Sequence, residues 1–416
     1  MPKGFFYLIG AQFTSGLADN ALLILGIAFL SEQGYPGWWA PLLKFSFTLS
    51  YVFLAPLMGP LADAFSKAKL MACMNAMKVV GVAFIFTNFH PMLAFAIVGM
   101  AASAYAPAKY GLITETVPES GLVKANGWLE VTVVMSVILG TACGGMLVAT
   151  SKLPWMSNFN LKFIETLSID IHTVYAGPLL SLILIYITAA LLNIGIPNAE
   201  VSYAQQSMRP IPLIQNFMKS NYMLWSDSVG RISLAVTTLF WGIGAVVQFA
   251  VLLWAKEALN MPLEKASLLQ AIVAIGVIFG AGVAGHSVAL KNAYRVLPLG
   301  LWLGFSLPAL AFATSLWVAI PLMLVTGFAG GMLMVPMNAL LQNRGYQLLT
   351  AGRSIAVQGF NENASVMLML GIYSGLLALE FPLRWVMIFM GSTMILGMLY
   401  LMRMASHKTP STCSAI

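Results

Sequence analysis

The stretch AYAPAKYGLITETVPESGLVKANGWLE, residues 104–130, holds Lys109, Glu115, Glu119, Lys124 and Glu130 between two long apolar runs. Only 8% of the 416 residues are charged, so such a gathering needs a reason. A soluble domain is about 25% charged, because water covers its outside. A chain that is 59% hydrophobic, with a mean hydropathy of +0.86, cannot clothe such a surface. The sequence is that of a polytopic membrane protein. Within it, 104–130 reads as a loop between two spans together with the first turns of both.

A span needs about 20 apolar residues. Outward from that loop, such runs lie near 5–30, 45–62, 70–89, 92–113, 123–149 and 174–196. After a more polar interval they resume near 231–254, 267–289, 295–314, 316–341, 354–379 and 383–402. The predicted fold is therefore all-α and integral to the membrane, with twelve transmembrane helices in two pseudo-symmetric six-helix halves. The N-terminal half is 1–196, the linker 197–230, the C-terminal half 231–404 and the tail 405–416. YAPAKYGLITE and MVPMNALLQNRG end corresponding runs of the two halves, each with a proline ahead of a polar exit. Paired six-helix halves are the signature of one large carrier fold whose substrate site lies at the interface of the halves. The expected cavity is lined by spans one, four, seven and ten, with contributions from five and eleven.

The first run is too long for a signal-peptide core and has Asp19 and Asn20 in its middle, so we expect a retained span. Fourteen of the 21 basic residues fall in segments on one side of the membrane and six on the other, with Lys78 inside a span. That bias predicts cytoplasmic termini and a cytoplasmic 104–130 loop. In the linker, Leu213, Ile214, Phe217, Met218 and Trp225 recur near helical spacing, with Asn216 and Lys219 opposite. An interfacial helix is expected there. The interval 151–173 is the longest outer loop, and no function is assigned to it.

The net charge of +7 does not mark a nucleic-acid binder, because the basic residues are spread through short loops. Three cysteines stand far apart without metal-ligand spacing, so neither a metal nor a cofactor is expected. No histidine is followed at four residues by Asp, and no G-x-S-x-G or Walker sequence occurs. We do not expect an enzyme.

Charges inside the membrane are few: Asp19, Lys78, Glu130 and Glu362. Each costs at least ~2.5 kcal/mol to insert, so each should be paired or line a cavity. Gln12, Ser15 and Asp19 share one helix face. Thr237, Trp241, Gly244 and Gln248 share another in span seven. In span eleven, Gln358, Glu362 and Ser365 form a stripe beside Asn361 and Asn363, which Asn338 of span ten is placed to meet. Glu130 lies six residues beyond Lys124, roughly 9 Å deeper. Lys109 sits about one turn from the membrane edge, where its stem could snorkel.

APLMGPLADAFSKAKL, residues 55–70, resembles the inner-loop motif of the major facilitator superfamily, with Gly59, Asp63, Lys67 and Lys69 in register. ADNALL (18–23), PAKYG (107–111), LVKANGWLE (122–130), LFWGIG (239–244), VPMNALLQNRG (335–345) and IAVQGFNENA (355–364) are together similar to its bacterial lysophospholipid transporters. That resemblance covers essentially the whole chain. It implies a monomeric flippase of the bacterial inner membrane that works by alternating access. It would move lysophosphatidylethanolamine and lysophosphatidylglycerol from the outer to the inner leaflet for reacylation by an acyltransferase/acyl-ACP synthetase. A cation-coupled exporter of drugs or other small molecules is the alternative reading of the same fold. The expected substrate-contacting residues are Gln12, Asp19, Asn20, Lys78, Lys124, Glu130, Trp241, Gln248, Asn338, Glu362 and Asn363. Asp63, Lys67, Lys69 and Arg353 are the expected conformational latch, Asp63 capping a helix N-terminus. The chain departs from the family in having Gln248 where members have arginine, and Asn343 where they have an acid.

Overall fold

A computed structural model describes residues 4–35, 39–86, 90–151, 175–197, 201, 203, 209–261 and 263–406. The interval 151–173, apart from Ser151, and the tail beyond Ser406 lie outside these residues. The described chain is helical: α1 Gly4–Glu32, α2 Trp39–Phe53, α3 Ala55–Ala64, α4 Lys67–Phe86, α5 Pro91–Thr116, α6 Leu122–Ser151 and α7 Ala176–Ile194. There follow α8 Pro210–Ser226, α9 Ser228–Leu259, α10 Leu263–Ser287, α11 Pro298–Phe312, α12 Leu316–Leu348, α13 Ala351–Ala378 and α14 Leu383–Ser406. With no water to satisfy backbone groups in a bilayer core, helices that close their own hydrogen bonds are the expected solution.

Helix occupies each of the twelve predicted runs, but the spans are not all alike. Ten helices among the described residues are long and apolar enough to cross a membrane. The second predicted run is not one straight helix. It breaks at Leu54 into α2 and α3, which meet at 67° and are, taken together, long and apolar enough for an eleventh span. Pro56 explains the break: it sits in the first turn of α3 and has no N–H to continue the ladder from α2. The remaining run, α13, has 28 residues, ample length for a crossing. Its Gln358, Asn361, Glu362 and Asn363 dilute its apolar character.

By contact the chain divides into two compact units. One comprises 1–116, 135–217 and 351–356, the other 117–134, 218–350 and 357–416. In the first, α1, α2, α4, α5 and α7 pack around Leu22, Leu25, Phe29, Leu43, Phe95, Leu179 and Tyr186. In the second, α12 packs on α10, α9 and α11, and α14 lies against α11 and α9. The closest pairing there, α10 with α12, rests on glycine. Gly276 and Gly280 of α10 face Gly327 and Gly331 of α12. A Cβ at any of the four would fall within van der Waals distance of a carbonyl oxygen: those of Leu324, Phe328, Val273 and Val277. Small residues spaced by four let backbones approach where lipid offers no hydrophobic drive.

Two expectations need correction. The linker helix α8 does form, but its apolar residues do not share one face. Leu213 and Phe217 are buried with Leu224, whereas Ile214 and Met218 are exposed with Ile211 and Tyr222. At 100° per residue, 213, 217 and 224 fall on one stripe and 211, 214, 218 and 222 on another. Lys109 does not snorkel to an edge: it is buried, with its ammonium 4.4 Å from the centre of the Tyr110 ring.

Replacing Gly331 by leucine should force α10 from α12 and destabilise the protein by about 1–3 kcal/mol, the usual cost of overpacking. Gly282→Leu, on the same α10 but with nothing within 4 Å of its Cβ position, should change the thermal unfolding temperature little. Equal effects of the two substitutions would show that the close pairing is not what holds these helices.

Candidate functional site

Each unit holds its own polar cluster. In the first, Lys78 of α4 reaches α1. Its ammonium donates to Asp19 Oδ1 at 2.8 Å, to Asp19 Oδ2 at 2.7 Å and to Ser15 Oγ at 2.9 Å. Ser15 in turn donates to Asn75 Oδ1 at 2.7 Å, and the Tyr186 hydroxyl of α7 donates to Asp19 Oδ1 at 2.8 Å. The rings of Tyr105 and Tyr186 stand 5.4 and 5.6 Å from the ammonium, within cation–π range. The side chain of Lys78 is 2% exposed and that of Asp19 is 22% exposed, so the acid forms the open end of the pair. Beside it, Asn75 and Asn193 both hydrogen-bond the Tyr105 hydroxyl, which lies 3.5 Å from Asn193 Oδ1.

Helical spacing builds this cluster. Ser15 and Asp19 are four residues apart on α1 and Asn75 and Lys78 three apart on α4, so each pair projects from one face. Gln12 is buried on the same helix, close to Gly16. Asn20 does not join: its amide donates to the Gly16 carbonyl of its own helix at 2.7 Å.

In the second unit, α12 and α13 carry the cluster. Gln358 Nε2 donates to Asn338 Oδ1 at 2.9 Å and to Glu362 Oε1 at 2.8 Å. Glu130 lies close enough to Glu362 to act on it electrostatically, and the Thr237 hydroxyl bonds to Glu362. Asn363 spends its amide on the Gly359 carbonyl at 2.8 Å. Trp241 is exposed, its ring edge-on to Phe240 at 5.9 Å. Gln248 is exposed as well, and its backbone carbonyl accepts from Gln270 at 2.8 Å. Lys124 is exposed at the start of α6.

The VPMNALLQNRG stretch acts as a distribution point. Besides Asn338, its Gln342 exchanges two hydrogen bonds with Asn126 of α6, at 2.8 and 2.9 Å, with both amides buried. Asn343 donates to Glu119 at 3.1 Å. Arg344 makes a two-pronged contact with Asp227, Nε to Oδ2 at 3.0 Å and Nη2 to Oδ1 at 2.7 Å. Asp227 is also the N-cap of α9, accepting from the amides of Val229 and Gly230. Burial alone would raise its carboxyl. The Arg344 guanidinium and the two amides outweigh that and hold it below the usual carboxylate value.

The expected latch separates into two contacts. Asp63 Oδ1 accepts from the Gly352 amide at 3.0 Å, at the N-terminus of α13 one residue before Arg353. Lys67 makes the second. It is buried against Glu115 at 2.6 Å, and the Tyr203 hydroxyl from the linker bonds to the same oxygen at 2.7 Å. Lys69 is exposed. Sequence reasoning missed Asn75, Tyr186, Asn126, Gln342 and Glu115 as partners. The amides stood out only as polar residues in apolar runs, and Tyr186 is one of 13 tyrosines.

A family model described as Major Facilitator Superfamily matches residues 8–346. The chain belongs to the major facilitator superfamily. Curated relatives in this superfamily carry the name lysophospholipid transporter LplT. The protein of Serratia proteamaculans is 36% identical over 375 residues, covering 90% of this chain and 88% of its own. That of Yersinia enterocolitica is 36% identical over 383 residues, covering 92% and 89%. Both are named as transporters, not enzymes. Solved structures share the fold at low identity. A bacterial homologue of the iron transporter ferroportin in an outward-facing state superposes with a TM-score of 0.73 at 12% identity, over 97% of this chain and all of that one. The Escherichia coli fucose:proton symporter gives 0.71 at 14% identity, over 96% and 97%. The chain is a multi-pass membrane protein of this superfamily.

Asp227→Asn keeps the capping shape but loses the charge that Arg344 holds. Because the folded-state carboxyl is depressed, its contribution to stability is present above the unfolded value of 3.8 and is lost as pH falls through the folded value. The variant should therefore unfold at a lower temperature at neutral pH, by about 1 kcal/mol or more. It should also lack one acid-dependent step of the wild type. Identical acid profiles for the two proteins would contradict this assignment.

Proposed function

We propose that this chain carries lysophospholipids from the outer to the inner leaflet of the bacterial inner membrane, delivering them to an acyltransferase that restores the second chain. The observation that carries the reading is the Asp19–Lys78 pair, set inside a chain 36% identical along nine-tenths of its length to proteins named lysophospholipid transporter. A lysophospholipid presents a phosphate on a single acyl chain. In low dielectric that phosphate needs a cation or several donors, and the amides of Asn75 and Asn193 near Lys78 are of the right kind. An ethanolamine ammonium needs an acceptor, for which Asp19, Glu130 and Glu362 are suited. Gln12, Asn338 and Trp241 would line the path, Lys124 would meet the head at the cytoplasmic mouth, and Asn20, Gln248 and Asn363 would contribute polar side chains to it. We place the linker and both termini on the cytoplasmic side, assign the two halves to 1–196 and 231–404, and expect a monomer.

Among Asp19, Lys78, Glu130, Glu362 and Gln248, acids outnumber bases, which favours a head with a cationic end over a purely anionic one. Purified protein in liposomes should move lysophosphatidylethanolamine between leaflets. Asp19→Ala and Glu130→Ala should each slow that movement by about tenfold or more, equivalent to ~1.4 kcal/mol. Gln248→Arg should shift preference towards lysophosphatidylglycerol. Full transport by folded Asp19→Ala and Glu130→Ala variants would reduce these carboxylates to helix packing.

A further inference from the structure

At the end of α9 away from the linker, a cavity of about 520 Å³ opens between Glu257, the turn joining α13 to α14, and the first residues of α14. That volume falls within the roughly 300–1,000 Å³ of small-molecule sites. Its wall combines two acids, Glu257 and Glu380, one base, Arg384, and two exposed aromatics, Phe381 and Trp385. Among the described residues, neither acid lies within ion-pair distance of Arg384. The Arg384 guanidinium instead stands over the Phe312 ring, 5.1 Å from its centre, a contact that orients its plane and leaves its N–H edge for an acceptor. Glu380 adds a second observation. It closes α13 with a φ of 59°, in the left-handed region. Its amide donates to the Leu377 carbonyl at 3.0 Å, and that of Phe381 donates to Leu376 at 3.1 Å. Helices close in this way on glycine or asparagine, as α9 does on Asn260. A glutamate there carries a Cβ into a backbone state that strains it, so folding alone would favour glycine. The carboxylate at 380 is held on the cavity wall against local preference, and such outliers gather at ligand sites.

We propose that this cavity binds a phosphate ester bearing an ammonium group, with Glu257 and Glu380 taking the ammonium and Arg384 the phosphate. The planar guanidinium matches phosphate oxygens two at a time, and the faces of Phe381 and Trp385 suit a cation. A phosphoglycerol head has no ammonium and would set its phosphate against two carboxylates, so the cavity discriminates by head charge. With the linker on the cytoplasmic side, α9 runs outward and the cavity faces the outer leaflet. There it is the first docking point for a lysophosphatidylethanolamine head. That loading role rests on the carrier reading above; the binding itself does not.

Titration calorimetry on the full-length protein in a maltoside detergent tests the binding, with glycerophosphoethanolamine, glycerophosphoglycerol and lauroyl-lysophosphatidylethanolamine as probes. Wild type should bind the ethanolamine head about tenfold or more tighter than the glycerol head. Glu257→Gln and Arg384→Gln should each weaken that binding by about tenfold, the order expected for one charge-assisted contact. Glu380→Gly separates binding from folding: its unliganded Tm should hold or rise by a few degrees as the strain is relieved, while its affinity for the ethanolamine head falls. Equal binding of the two heads, undiminished binding by the three variants, or no binding of any ethanolamine probe by the wild type would each overturn the proposal. The lauroyl lipid should bind tighter than its free head; equal affinity would make the free ester the ligand and remove the loading role. In liposomes the same variants should raise the half-saturating concentration of lysophosphatidylethanolamine and keep the maximal rate. Wild type that binds the head but moves no lipid would sink the carrier reading and leave the cavity assignment standing. Variants that bind and transport like wild type would sink the cavity assignment and leave the carrier reading intact.

Discussion

Low dielectric governs this molecule: inside an apolar helical assembly, a charge or amide that leaves water must find a partner within the protein. An unpaired buried charge costs far more than any single contact returns, so the rare polar residues are collected into groups. Lys78 is met by an acid, a hydroxyl and two aromatic faces; Lys67 is met by Glu115 and Tyr203. Removing one member of such a pair leaves the other stranded, which is why each acts as a unit. The helices must then hold a register that keeps partners within about 3 Å, and that demand reaches well beyond the residues that bear charge.

In the second unit α12 meets this demand in two ways along its length. Its middle carries Gly327 and Gly331, which let α10 approach to backbone distance. Its C-terminal third carries Asn338, Gln342, Asn343 and Arg344, whose side chains reach α13, α6, the turn at Glu119 and the cap of α9. Dispersion between close backbones holds the first region, and directed hydrogen bonds fix the second. Two prolines, Pro321 and Pro336, lie within the same helix without ending it.

Much of this was legible in the residues. Apolar runs located the spans because a bilayer demands a length of helix that little else does, and helical spacing put Ser15 and Asp19 on one face. What stayed hidden depended on which helices touch. Lys67 and Lys69 look alike in the sequence, yet one is buried against Glu115 and the other is exposed. Nothing in SKAKL distinguishes them, because the difference is supplied by α5 and the linker. Tyr186 was invisible for the same reason. The bend at Leu54 was readable from Pro56 but was masked by the continuous apolar run around it.

The inner-loop motif illustrates how charge and space act together. Asp63 can bond the Gly352 amide because position 352 has no side chain: a Cβ there would stand 2.6 Å from Asp63 Oδ1. On the facing helix, a Cβ at Gly59 would stand 2.8 Å from the Cα of Arg353. The carboxylate therefore reaches the positive end of α13 only through a gap that two glycines keep open. An alanine at either position would push α3 from the start of α13 and lengthen the bond even with Asp63 intact. The spacing Gly59–Asp63, one helical turn, places the gap and the charge on the same face of α3, so a single approach of two helices satisfies both.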